Sequence, residues 1–277
     1  MITLEKNEEQ LKDSIMGKIT LDKDKVRLEK HVVSLSKSII NLSKEADFDL
    51  GNTKARVVFA LDDSGSMESM FKSGAVQDLL DKLVPLGLTF DSNGSIEVYR
   101  FSSSCKKLTD VDLSNYSSYV NNVMLPNAEF SGTEYSPVLE KIFFDDSESN
   151  NTKKKGKGFL SKLFGKKKSE ESTETDNTGI TEEKDLPTFV FFATDGDNYD
   201  RMETEKIIKK ISKENGFIQF VGMGNDDFSF LEKLDDLPDR ERDNTGFTKV
   251  EDIENIDDSK LYTILLGEFI KWLKNEQ

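Results

Sequence analysis

Arg56-Val57-Val58-Phe59-Ala60-Leu61-Asp62-Asp63-Ser64-Gly65-Ser66-Met67 is the stretch that decides how the rest of the sequence is read. Its first half, Arg56 to Leu61, has the length and β-branched content of a strand buried on both faces of a parallel sheet. The run then stops on a carboxylate. Asp62, Ser64 and Ser66 alternate through a glycine-containing turn, so one carboxylate and two hydroxyls fall on one side of a tight loop. An all-oxygen set of this kind suits a hard divalent cation, and Mg2+ in particular, which takes few carboxylates, keeps several waters and prefers octahedral geometry. In an open α/β sheet the ligand crevice lies beyond the carboxyl ends of the strands, where this loop falls. The same three residues would also serve as a helix N-cap and turn, because Asp and Ser satisfy free backbone N–H groups.

Outward from this stretch, strand and helix patterns alternate. Met70, Phe71, Val76, Leu79, Leu80, Leu83 and Val84 form an apolar stripe at three-four spacing, which predicts a helix ending near Pro85 and Gly87. Ser95 to Phe101 reads as a second strand closing on Ser102-Ser103-Ser104, a hydroxyl-rich loop bordering the same crevice. A weaker helix follows from Tyr116 to Val123. Phe130-Ser131-Gly132-Thr133-Glu134-Tyr135 is then a glycine turn into a helix from Ser136 to Phe143, with Thr133 at its entrance. Pro187 to Gly196 is the most hydrophobic strand pattern, a central one, and it too ends on a hydroxyl and an aspartate, Thr194 and Asp195. Helix Arg201 to Lys213, strand Phe217 to Val221, helix Phe228 to Leu234, strand Gly246 to Val250 and helix Ser259 to Lys274 complete the series. Such alternation specifies an α/β, doubly wound, mainly parallel and Rossmann-like sheet with helices on both faces.

Upstream, Val26, Leu28, Val32, Val33, Leu35, Ile39, Ile40 and Leu42 predict one long amphipathic helix from Asp24 to about Ala46, the body of an N-terminal helical extension over residues 1–50. The residues before it are polar and expected to be only partly ordered, with Gly17 to Leu21 as an edge strand. The main domain then spans 51–277, and within it residues 145–186 change composition to Ser, Asn, Thr, Lys and Glu, a low-complexity insertion expected to be disordered.

Composition removes several function classes. A formal net charge of −15 over 277 residues opposes nucleic-acid binding, which needs a basic face to neutralise phosphate. Cys105 and His31 stand alone, so one chain cannot supply a disulfide framework, a Cys/His zinc site or a histidine-based triad. Cys105, beside Lys106 and Lys107, reads as an incidental thiol, and His31 and Trp272 as helix-borne packing or surface residues. Asp197, Asn198 and Asp200 lack the spacing of a calcium loop and read as rim residues. The first ten residues lack a basic region followed by an apolar one, and no run approaches the ~20 apolar residues of a membrane span, so a cytoplasmic location is expected.

The order Asp62-x-Ser64-x-Ser66, then Gly132-Thr133, then Thr194-Asp195-Gly196 resembles the metal-ion-dependent adhesion site of von Willebrand factor A (vWA) domains, over roughly Lys54 to the C-terminus. The blocks Leu28 to Lys37, Leu83 to Asp91, Leu231 to Pro238 and Asp243 to Phe247 are similar to the bacterial tellurium-resistance, TerF-like group of that family. The resemblance implies a metal held by Asp62, Ser64, Ser66, Thr133 and Asp195. Ser64, Ser66 and Thr133 would present hydroxyls, Thr133 directly or through water, and the two aspartates would act largely through water or from behind. It further implies Mg2+, with Mn2+ as the alternative, and an open position filled by an Asp or Glu carboxylate of a protein partner, other tellurium-resistance proteins being candidates. Ser131 stands where Gly often precedes Gly-Thr, a departure that should leave metal binding intact. The expected function is therefore a metal-dependent protein-binding module of a stress system, with no catalysis. The competing class is a metal-dependent phosphatase or nuclease using Asp62, against which stands the lack of a P-loop, of paired nucleophilic aspartates and of phosphate clamps.

One motif stays outside this reading. Phe159, Leu160, Leu163 and Phe164 would gather into one stripe on a helix, flanked by Lys153 to Lys155, Lys157, Lys162 and Lys166 to Lys168. A solvated charged tail, a short helix at an anionic membrane surface and a helix for a partner groove all fit residues 153–168. The membrane version would add weak peripheral contact at the inner face.

Overall fold

Val57, Phe59 and Leu61 enter one apolar core and Val58 and Ala60 enter another, all five fully buried, as a strand with period-two side chains must arrange when both faces are covered. The computed structural model describes residues 2–17, 22–145 and 186–275. Strand β1 (Arg56–Asp62) lies in a six-stranded sheet with β2 (Glu97–Phe101), β3 (Cys105–Lys107), β4 (Thr188–Thr194), β5 (Gly216–Met223) and β6 (Thr245–Val250), in the order β3-β2-β1-β4-β5-β6. All pairings are parallel except β2 with β3. Strand order runs outward in both directions from β1 and β4, so the loops leaving these two neighbours diverge and leave a crevice at their carboxyl ends.

One face of the sheet is covered by α2 (Asp22–Ala46), α4 (Ala75–Phe90) and α8 (Asp258–Asn275), whose Leu35, Leu80 and Phe269 join the core of Val57 and Phe59. The other is covered by α5 (Ser136–Phe144), α6 (Arg201–Ile211) and α7 (Ser229–Asp235), through Leu139, Ile208 and Leu231. Phe269 stacks on Phe189 of β4 with ring centroids 4.0 Å apart, tying α8 to the sheet centre. Asp258, at the start of α8 and fully buried, accepts a hydrogen bond from Lys82 of α4 at 2.6 Å and lies 3.0 Å from His31 of α2. One carboxylate thereby joins the N-terminal helix to two helices of the domain.

The expected alternation is present, with local differences. The helix predicted from Met70 to about Pro85 is two helices, α3 (Glu68–Ser73) and α4, separated by Gly74 at φ +95°, a conformation that favours glycine. Pro85 does not end α4, because Leu86, Leu88 and Phe90 beyond it are buried and Thr89 Oγ donates to the Pro85 carbonyl at 2.7 Å. The weak helix at Tyr116 is a run of tight and wide helical turns from Tyr116 to Asn127, anchored by buried Tyr116 and Tyr119. Strand β3 has three residues, two of them lysines, which protects a sheet edge but leaves no readable pattern. The expectation of a partly ordered start is corrected: α1 (Ile2–Met16) is a helix, and Leu11, Ile15 and Met16, on one helical face, pack on the core. Gly17 is the turn after α1, while the rest of the proposed edge strand, residues 18–21, lies outside the described residues. So do residues 146–185, with the Phe159 to Phe164 stripe and its lysines. Among the described residues, no helix is long and apolar enough to cross a membrane.

Candidate metal centre

The parallel register pairs Leu61 with Ala193, so the next residues of the two central strands, Asp62 and Thr194, end side by side. Thr194 Oγ donates to Asp62 Oδ2 at 2.6 Å, and the other oxygen, Oδ1, accepts from Ser64 N at 2.7 Å. That second bond curls the chain back on itself directly after the strand. It delivers the Ser64 and Ser66 hydroxyls within 3.1 Å of each other, and Ser66 Oγ donates to Asp195 Oδ1 at 2.8 Å. Four of the five residues singled out in the sequence are therefore linked in one hydrogen-bonded chain from β1 to β4.

Thr133 arrives on a separate loop, docked edge to edge on the first. Ser64 bridges Ser131 in a parallel sense, and Gly65 N donates to the Ser131 carbonyl at 2.9 Å. Thr133 is buried, and its carbonyl accepts from Tyr199 N at 3.0 Å. The Ser102 to Ser104 loop supports it, since Gly132 N donates to Ser103 Oγ at 3.0 Å and Ser131 Oγ to Ser102 Oγ at 3.0 Å. Ser131 is thus accommodated by a hydroxyl partner in place of glycine.

Several supporting residues carry no signature that sequence reasoning used. Tyr135 OH meets Thr194 Oγ at 3.1 Å, so Thr194 holds Asp62 from within a buried network. Asp200 accepts from Tyr135 N and Ser136 N at 2.9 and 2.8 Å, fixing the start of α5 behind Thr133. Asp63, adjacent to Asp62, faces away: its Oδ2 accepts from Glu129 N at 2.8 Å, beside buried Arg100, whose guanidinium bonds Glu129 at 2.6 Å. Thr194 was within reach of the sequence, as the hydroxyl preceding Asp195 at the end of the strand beside β1, and Asp200, read there as a rim residue, instead holds the start of α5.

Burial pushes Asp62 up to about 7, against the opposing hydrogen bonds from Thr194 and Ser64. Burial likewise raises Asp195, opposed by the Ser66 hydroxyl and aided by the nearby charge of Asp226. Among the described residues, no lysine or arginine is among the main influences on either carboxylate. Two buried acids linked in one hydrogen-bonded chain with the Ser64 and Ser66 hydroxyls form an all-oxygen set, which fits a small hard dication. Among the described residues, no three His, Cys, Asp or Glu side chains cluster to hold a metal by themselves, so hydroxyls and water must complete such a shell.

A doubly wound α/β domain with a serine-rich, two-aspartate crevice at its switch point is the class that fold and site define. The chain belongs to the vWA-TerF-like family: the family model, described as the vWA found in the TerF C terminus, matches residues 54–277. It is similar to the uncharacterized protein YcbR of Bacillus subtilis (strain 168), 32% identical over 229 residues that cover 81% of this chain and 80% of that protein. Among solved structures it resembles proximal thread matrix protein 1 of the mussel byssus, 16% identical with a TM-score of 0.49, over 77% of this chain and 47% of that one. It also resembles manganese-loaded TRAP protein of Plasmodium vivax, 13% identical with a TM-score of 0.48, over 80% and 75% of the two chains. The chain spans about half the length of the mussel protein. At these scores the fold assignment rests on the sheet order and the family match.

Proposed function

We propose that this chain is a metal-dependent protein-binding module, without catalytic turnover, that captures a carboxylate of a protein partner at the crevice between β1 and β4. The observation that carries the reading is the chain of contacts Thr194 to Asp62 to Ser64 to Ser66 to Asp195 at the carboxyl ends of two adjacent central strands. Asp62, Ser64, Ser66, Thr133 and Asp195 would hold the ion. A bound Mg2+ or Mn2+ supplies Lewis acidity and a coordination position that a partner's Asp or Glu can take. Asp62 braces the loop by accepting from Ser64 N, and Thr194 fixes the direction of its carboxylate. With two acids and three hydroxyls the protein's own shell is weak, so a partner carboxylate strengthens ion binding and the ion strengthens partner binding.

The family match supports placing the module with tellurium-resistance proteins, and its partners among them, in a cytoplasmic stress system. The absence of a phosphate clamp in the sequence supports a binding role over phosphoryl chemistry. Capture from native lysate on immobilised full-length chain tests the reading. A partner set retained in Mg2+, released by chelator and lost with Asp195→Ala is expected. A phosphatase or nuclease activity of the purified chain that disappears in Asp62→Ala would replace it with the enzymatic one.

A further inference from the structure

Tyr199 and Met202 are the large hydrophobic side chains most exposed among the described residues, at 84% and 69%. Both belong to the segment that leaves β4 past Asp195. Tyr199 is nonetheless fixed: its N–H holds the Thr133 carbonyl at 3.0 Å, and its ring lies against Gly132, where an added Cβ would sit 3.1 Å from Cε2. A ring anchored at the mouth of the candidate centre, yet left in water, is a surface for a partner.

The charges beside Gly196, next to Asp195, say what that partner carries. Asp226 lies 3.6 Å from where a Cβ on Gly196 would stand, and Asp227 accepts from Ser229 N at 2.9 Å at the start of α7. Arg201 pairs with Asp197, sits over the Phe230 ring and also acts on Asp227 by its charge, one cation set against two acids. An ion's two positive charges are offset by Asp62 and Asp195, which leaves an arriving carboxylate facing a surplus of acids. A carboxylate accompanied by a cation escapes that repulsion. The Tyr199 face offers a cation–π seat and Met202 an apolar bed for the stem of a lysine or arginine.

We infer that the partner segment is a carboxylate flanked within a few residues by Lys or Arg, whose cation lies over Tyr199 and toward Asp226 and Asp227. The inference rests on the carboxylate-binding reading above. It is tested by selecting a displayed library of random peptides, each with one fixed central Glu, on the full chain in Mg2+ with elution by EDTA. An EDTA-released pool enriched in Lys or Arg near the Glu is expected. Tyr199→Ala should weaken a selected peptide about two- to fivefold, the size of an exposed cation–π contact, and Tyr199→Phe should keep most of the affinity. Asp226→Asn with Asp227→Asn should erase the basic preference. An EDTA-released pool without basic residues, or a basic preference unchanged by Tyr199→Ala and by the double Asn variant, overturns this inference and leaves carboxylate capture standing. No EDTA-released pool from a chain shown folded by circular dichroism removes both.

Discussion

Thr194 shows how much a single hydroxyl carries at this site. Its Oγ donates to a fully buried carboxylate oxygen at 2.6 Å, and replacing it by valine keeps the shape while leaving that oxygen without a donor. An orphaned buried polar group costs about 1–3 kcal/mol. Thr194→Val should therefore lower stability by that amount in urea titrations and weaken Mg2+ binding. Stability and binding equal to wild type would remove Thr194 from the support of Asp62. The candidate ligands Asp62 and Asp195 stand out in the sequence because each follows an apolar strand run, Ser64 and Ser66 because they alternate after Asp62, and Thr133 because it follows a glycine turn. The roles of Asp63 and Tyr135, and that of Asp200 beyond a place at the rim, were not legible, because they are set by the direction of a side chain across the fold, and nothing local distinguishes Asp63 from Asp62.

At the scale of elements, strands and helices were readable where burial imposes a period, as in β1, β4, α6 and α8. They were misread where tertiary packing overrides a local rule. Pro85 usually stops a helix, but three buried apolar residues beyond it outweigh one lost hydrogen bond. Gly87, taken as part of the stop, serves instead to bring α4 close to the chain entering β2: a Cβ there would lie 2.4 Å from Ile96 Cγ1 and 3.1 Å from the Ser95 carbonyl. Gly87→Ala should cost about 1–3 kcal/mol by overpacking, with the urea midpoint lowered. A midpoint at or above that of wild type would show that the helix can shift without loss. α1 was missed because its apolar residues are sparse, and only the neighbouring helices give Leu11 and Ile15 something to cover.

For the molecule as a whole, the N-terminal helices are part of the domain's core, not a detached extension, and Asp258 is the ionic element of that join. Its burial favours the neutral form, but the hydrogen bond and charge of Lys82 and the proximity of His31 outweigh this and hold its pKa below the ordinary carboxylate value. A depressed carboxylate stabilises the fold above the unfolded-state pKa of ~3.9, and that contribution is lost as pH falls through the lower folded value. Wild type should therefore lose stability steeply below about pH 4, and Asp258→Asn, already weaker by about 3–5 kcal/mol at neutral pH because Lys82 is left buried and unpaired, should lose less in that interval. Parallel acid dependence of the two proteins would show that Asp258 does not clamp α2 to α4 and α8. The central claim concerns the other end of the sheet, and calorimetric titration of Mg2+ into the full chain tests it most directly. One ion of modest affinity is predicted for wild type, with binding abolished in both Ser64→Ala and Asp195→Ala while their circular dichroism spectra stay unchanged. Undiminished binding in both variants, or no binding by the folded wild type, would contradict the account.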